Sequence, residues 1–281
     1  MASINETAKT LKSLHQPGSP IVFSNIWDIP SLNALLSLND SPSKPVKAVA
    51  TASWAIAASY GINDEDLSME QNLQIISKIG PICAKANIPL SVDLQDGYGS
   101  NIEAVVAAAV KAGAVGANIE DSIPSAGFDK GISGSLYGTE DQVKRLKLAL
   151  QAAKNAGCPD FVLNARCDVF RLDDSSSLDD ETRMKEAIKR GKAFLEAGVT
   201  TIFYWGGRGK GLRTDIVEKL VKELDGRVAV LLAARPGAHT VEELGKIGVA
   251  RISVGPSLFL AAMEAFKKAA SKMLGGGGLA A

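Results

Sequence analysis

The chain has 281 residues, 46% hydrophobic and 22% charged, which suits a folded globular protein large enough for one α/β barrel or two smaller domains. Lysine plus arginine and aspartate plus glutamate stand at 31 each, so there is no basic footprint for nucleic acid or an anionic membrane surface, and the expected partner is a small molecule. The start, Met1-Ala2-Ser3-Ile4-Asn5-Glu6, lacks a secretory pattern, no stretch approaches a membrane span, and Cys83, Cys158 and Cys167 show neither zinc spacing nor a disulfide framework, so a cytoplasmic protein is expected.

In chain order, a helix is predicted over 4–14, followed by eight β-rich apolar runs at 20–24, 46–51, 89–93, 115–120, 161–165, 200–204, 228–233 and 251–254. Between them, stretches such as 102–111, 140–156, 182–197, 213–224 and 240–247 carry apolar residues at helical period and close near a glycine. Strict alternation of strand and helix implies parallel pairing, and runs that are apolar throughout imply strands covered on both faces. Eight such units predict a TIM (β/α)8 barrel forming a single domain over 1–281, with a doubly wound open sheet as runner-up. A last helix over 256–273 presents Leu258, Phe259, Ala262, Met263 and Phe266, which either close the barrel or pack on another subunit; a homo-oligomer is expected, and the glycine-rich end 274–281 reads as a flexible tail.

Two of the apolar runs end in carboxylates: Ser91-Val92-Asp93-Leu94-Gln95-Asp96-Gly97-Tyr98-Gly99, and Ala117-Asn118-Ile119-Glu120-Asp121. Residues just past the C-terminal ends of barrel strands face one open cup, so Asp93 and Glu120 should converge there as oxygen ligands for a hard divalent ion such as Mg²⁺. Asp96 and Asp121 read equally as turn and helix-capping residues. Asn164-Ala165-Arg166-Cys167-Asp168 puts Arg166 at the fifth strand end, where its fork suits a substrate carboxylate and is equally able to pair with Glu120 or Asp168. Thr51-Ala52-Ser53-Trp54 offers hydroxyls and N–H groups to an anion, or a helix cap.

The glycine-rich segments 131–138 and 206–211 lack the order of a phosphate loop; the first reads as a mobile lid. The acidic stretch 172–180 reads as a solvated connection. With two histidines and no nucleophile elbow, no catalytic triad is indicated: His15 reads as a surface residue at a helix end, and His239 as the start of a helix before a base.

Further motifs join these: Phe23-Ser24-Asn25-Ile26-Trp27-Asp28 at the first strand end, Gly61 and Asp64 after the second, and Ile252-Ser253-Val254-Gly255-Pro256 at the last. Together, from about residue 23 to 273, the chain resembles the isocitrate lyase/phosphoenolpyruvate mutase superfamily. The resemblance implies a TIM barrel, often a tetramer exchanging its C-terminal helix, with Mg²⁺ or Mn²⁺ holding a 2-oxo or 2-hydroxy carboxylate beside a C–C or P–C bond. It implies Asp93 as direct metal ligand, with Glu120 and Asp64 holding metal-bound waters and serving catalysis. Arg166 with Thr51 and Ser53 would grip the substrate carboxylate, with Trp27 and Asn164 lining the substrate. Gln95 stands where the D-x-D pattern has its second acid, lowering the charge by one or moving the ligand duty to Asp96. The lid carries no cysteine, unlike isocitrate and methylisocitrate lyases. The expected function is a Mg²⁺-dependent lyase acting on a small dicarboxylate through an enolate; the alternatives are an oxaloacetate-type hydrolase or decarboxylase, a P–C bond enzyme, or a non-catalytic barrel that binds a small carboxylate.

Overall fold

The computed structural model describes residues 2–173, 178–207 and 211–279. Eight parallel strands close into a barrel in sequence order: β1 (Ile21–Ile26), β2 (Val49–Thr51), β3 (Leu90–Asp93), β4 (Gly116–Glu120), β5 (Val162–Arg166), β6 (Thr201–Tyr204), β7 (Val228–Leu231) and β8 (Arg251–Ser253). The last returns to the first, with Ile21 opposite Arg251. Each strand falls within or overlaps its predicted run, and the open-sheet alternative is excluded by closure. The second run is trimmed at its start, because the Asn39 side chain both donates to the Val46 carbonyl and accepts from its N–H, at 2.9 Å each.

Around the barrel lie α1 (Ile4–Ser13), α2 (Ile29–Leu36), α3 (Ser53–Tyr60), α4 (Met69–Ala86), α5 (Ile102–Lys111), α6 (Gly131–Ser135), α7 (Thr139–Asn155), α8 (Asp180–Glu196), α9 (Thr214–Glu223), α10 (Val241–Ile247) and α11 (Ser257–Leu274). Local chemistry fixes their starts: Ser68 and Gln71 form a capping box on α4, Thr240 and Glu243 another on α10, and Asp179 accepts from the Thr182 N–H to cap α8. Close packing also needs Gly80, where a Cβ would lie 1.8 Å from the Ala112 carbonyl oxygen and force α4 off the end of α5. Of the acidic stretch, 174–177 lie outside the described residues, as do 208–210 of the second glycine-rich segment. No helix among the described residues is long and apolar enough to cross a membrane.

His15 departs from its reading as a surface residue. It follows α1 at the barrel floor, with Nδ1 against the Leu11 carbonyl at 2.9 Å, its ring 6.0 Å from that of Phe23, and Nε2 closed off from solvent. Burial and the neighbouring Arg251 charge push its pKa down to about 3. Arg251 is buried in the barrel with its guanidinium 4.1 Å over the Phe23 ring. At the other end of the chain, Phe259 of α11 is wedged edge-on against Trp27 and Trp54, at 5.2 and 5.9 Å. The rest of that helix leaves the surface, with no residue buried and Phe266 71% exposed.

Candidate active site

Asp93 ends β3 and is held on every side. Its N–H donates to the Thr51 hydroxyl at 2.8 Å, and its Oδ2 accepts from the N–H and hydroxyl of Ser53 at 3.2 and 3.1 Å. On Oδ1 it receives the Asn118 amide at 3.4 Å. Asn118 in turn accepts from Asn164 at 2.8 Å, and Asn164 from Thr201 at 2.6 Å. These are register partners: Asp93 lies opposite Asn118, Asn118 opposite Asn164, and Asn164 opposite Thr201. Each amide donates toward the next strand, so the row terminates on the carboxylate. Thr51, Ser53 and Asn164 are buried and directed to Asp93 or its supports.

The loop after β3 is strained in a defined way. Gln95, Gly97, Tyr98 and Gly99 all have positive φ, at 53°, 88°, 58° and 64°. At Gly97 a Cβ would also meet Ile102 at 2.7 Å, so only glycine passes this turn. Asp96 nails the loop: its carboxylate accepts from the Tyr98 and Gly99 N–H groups at 2.9 and 3.1 Å and from the Tyr137 hydroxyl at 2.8 Å, and it pairs with Arg145 at 3.4 Å. Arg145 also donates to the Asp96 and Gly99 carbonyls. Asp96 is thus engaged by the turn, by Tyr137 and by Arg145. Gln95 donates its side-chain amide to the carbonyl and Oδ1 of Asp64, at 2.5 and 3.2 Å, and so ties the loop after α3 to the loop after β3.

Across the cup, Arg166 pairs with Glu120 at 2.7 Å, its register partner, and with Asp168 at 2.7 Å. Its guanidinium lies 4.9 Å from the centre of the Trp205 indole, whose N–H donates to Asp168 at 2.8 Å. Behind them, Asp121 accepts from the Asp168 N–H at 2.8 Å and pairs with buried Arg190 at 3.0 Å, which also reaches Glu186 and the Tyr137 carbonyl. Burial raises the carboxyls of Glu120 and Asp64 and pushes Asp121 up to about 6; Arg166 opposes the shift at Glu120, while the charge of Asp93 adds to it at Asp64. Burial lifts all three thiols above their ordinary range, so Cys167 beside Arg166 is a packing group without thiolate character.

The predicted lid begins and ends at a bridge between Ser122 and Leu136, closed by Ile123 N–H to the Ser135 carbonyl and Tyr137 N–H to the Asp121 carbonyl. Trp27 lies in a small apolar cluster with Ile56 and Leu67, under Phe259, at the rim. His239 is half-buried, bonded to Thr214, and belongs to no part of this cup. Sequence reasoning missed Trp205, Tyr137, Arg145 and Arg190. An aromatic pair after β6 was a visible signal for the first; the others reach the site from helices and a loop whose distance along the chain hides them.

The donors that face the cup from Asp93, Glu120 and Asp64 are oxygens, and the Asp93 charge adds to the raised proton affinity of Asp64 and Glu120, which is the repulsion a cation relieves. Among the described residues no three His, Cys, Asp or Glu side chains are gathered as a complete cage. A single direct carboxylate, Asp93, with others reached through water is the donor pattern that Mg²⁺ accepts. The residues therefore fit such an ion.

Comparison with known proteins agrees with this geometry. The chain is 30% identical over 151 residues to 2-methylisocitrate lyase of Escherichia coli K12, spanning 52% of this chain and 46% of that one. It is 26% identical over 225 residues to oxaloacetate decarboxylase of Rhodopseudomonas palustris BisB5, spanning 79% of this chain and 71% of the relative. Among solved structures, a Burkholderia cenocepacia J2315 protein assigned as a phosphonomutase superposes with a TM-score of 0.79 at 29% identity, covering 94% of this chain and 99% of that one. The profile of phosphoenolpyruvate phosphomutase matches residues 11–274, and the chain belongs to that family, as an enzyme of the isocitrate lyase/phosphoenolpyruvate mutase type.

Proposed function

We propose that this protein is a divalent-metal-dependent carbon–carbon lyase acting on a small 2-oxo or 2-hydroxy carboxylate. The observation that carries the reading is the meeting of Asp93, Glu120 and Arg166 at three adjacent strand ends, with Arg166 bonded to Glu120 at 2.7 Å. An ion such as Mg²⁺ or Mn²⁺, held by Asp93 and through waters by Glu120 and Asp64, would supply Lewis-acid stabilisation of the negative charge that develops beside the substrate carboxylate.

The chain's own groups do the remainder. Arg166 keeps its charge between Glu120 and Asp168, and its Nη2 has no protein partner among the described residues, so it is free for the substrate carboxylate. The indole of Trp205 and the buried Asp168 fix the plane of that guanidinium. Asp64, raised by burial, holds a proton more readily than a solvated aspartate, and Gln95 steers it through Oδ1, so its carboxyl is the group to give or take a proton at the substrate. No described thiol is placed to donate. A decarboxylating or hydrolytic reaction on an oxaloacetate-type substrate is the variant that needs none, and the likeness to the oxaloacetate decarboxylase supports it. The exposed apolar face of α11, with Leu260, Met263 and Phe266, is covered in this reading by a second copy, giving a dimer or tetramer. Three buried free thiols suit the cytoplasm.

The test is to incubate the purified protein with Mg²⁺ and oxaloacetate, substituted malates, methylisocitrate and phosphonopyruvate, and to follow pyruvate, glyoxylate and oxalate with and without chelator. Product that disappears with chelator is the expected outcome; metal-independent product, or no product with any substrate, would overturn the assignment.

A further inference from the structure

One cation at the mouth of the barrel has no place in the chemistry above. Arg171 ends the short turn Asp168–Arg171 that follows β5, five residues beyond Arg166. Its guanidinium carbon lies over two aromatic rings, 4.0 Å from the centre of Phe128 in the lid and 5.7 Å from that of Trp205 at the end of β6. Backbone closes the third side: a Cβ at Gly207 would lie 3.0 Å from the Arg171 Cδ, and Gly207 has a φ of 65°. The lid is tied to the same turn by the Asp173 N–H, which donates to the Phe128 carbonyl at 2.9 Å.

A guanidinium stacked against an aromatic ring keeps its edge for in-plane hydrogen bonds. On that edge one contact is made, from Nη1 to the Asp173 carboxylate at 3.3 Å. Asp173 is 43% exposed, so the pairing is a solvated one of little strength. Nε and Nη2 have no hydrogen-bond partner among the described residues, and the side chain is 17% exposed. Arg166 and Arg171 therefore both lie against Trp205, 4.9 and 5.7 Å from its ring centre. Two cations against one indole suit the two ends of a small dianion, Arg166 as the inner one beside the reacting carboxylate and Arg171 as the outer one beside the far end.

Resting on the lyase reading of the cup, we propose that Arg171 is the specificity-determining residue that binds the distal carboxylate of the substrate, with Phe128 of the lid seated on it while that carboxylate is held. The substrate class is thus a dicarboxylate, and a monocarboxylate 2-oxo acid of the same length is a poor one. Because a site built for a charged group leaves its own donors unpaired when the group is missing, discrimination arises from the mouth without any change in the cup.

The test is binding by calorimetry in the presence of Mg²⁺, using oxalate, which reaches only the inner arginine, and malate, which reaches both. Wild type, Arg171→Met and Arg171→Lys are compared, the methionine preserving a stem against the rings. Malate binding should weaken by about 10- to 100-fold in Arg171→Met and partly recover in Arg171→Lys, while oxalate binding changes less than about 3-fold. Equal weakening for both ligands would make Arg171 a structural support, and unchanged malate binding would remove it from the site; either overturns the proposal while leaving the lyase reading in place. Failure of wild type to bind oxalate at all would instead overturn the lyase reading, and this proposal with it.

Discussion

The Tyr137 hydroxyl donates to Asp96 Oδ2 at 2.8 Å while the Tyr137 N–H donates to the Asp121 carbonyl at 2.8 Å, so one residue at the end of the lid fastens the loops after β3 and β4 together. Asp96 raises the Tyr137 hydroxyl pKa further after burial has done so, and Arg145 stacks on the same ring at 4.1 Å. Tyr137→Phe should therefore cost about 1–2 kcal/mol in urea unfolding and loosen the turn at Gln95. Hydrogen exchange at residues 95–99 is the direct readout, and unchanged protection there would show that the turn stands without the lid.

Asp93→Ala should abolish chelator-sensitive turnover, by at least about 100-fold, because it removes the carboxylate proposed as the direct ligand. Cys167→Ser should leave turnover within about 3-fold, since the thiol is buried without thiolate character. Full activity in the first variant would sink the site assignment.

Acid stability follows from His15. Its folded pKa of about 3 lies below the ordinary value of 6.5, so between those values the unfolded chain takes up the proton and folding is penalised. Stability from this group is complete above about pH 6.5 and is lost as pH falls toward 3, by at most about 1.4 kcal/mol per pH unit. His15→Phe should flatten that slope in denaturant titrations run from pH 7 to 4; an identical slope would place the histidine in solvent.

Mass measured by light scattering should report the fate of α11. Replacing Phe266, at 71% exposure, by glutamate is expected to yield a smaller species with its far-ultraviolet spectrum unchanged. An unchanged mass would mean that this face meets no second copy.

Much of this was readable from the chain, for reasons that also mark the limit. Strands buried on both faces leave continuous apolar runs, so all eight were visible, and an acid or arginine at the end of such a run has little to do in a core; Asp93, Glu120 and Arg166 stood out on that ground. What a polar side chain touches depends on register, which single-strand patterns do not encode. Thr51, Ser53 and Asn164 were expected to meet substrate, yet each is turned to Asp93 or to the row of amides that supports it. Asp96, read with the metal site, is taken by Arg145 and Tyr137, which lie 49 and 41 residues away along the chain. His15 was misjudged because a helix end looks solvated until the barrel floor it caps is in place.

The row from Thr201 through Asn164 and Asn118 to Asp93 runs inside the wall of the barrel, whereas Phe128, Arg171 and Gly207 hang from segments beyond the strands. The reactive carboxylate is consequently aligned by parts that no loop exchange disturbs. Lid and turn are free to be rewritten for a longer, shorter or differently charged molecule while the chemistry beneath keeps its alignment, so grafting the 122–138 and 168–173 segments between relatives should transfer preference without rebuilding the catalytic floor.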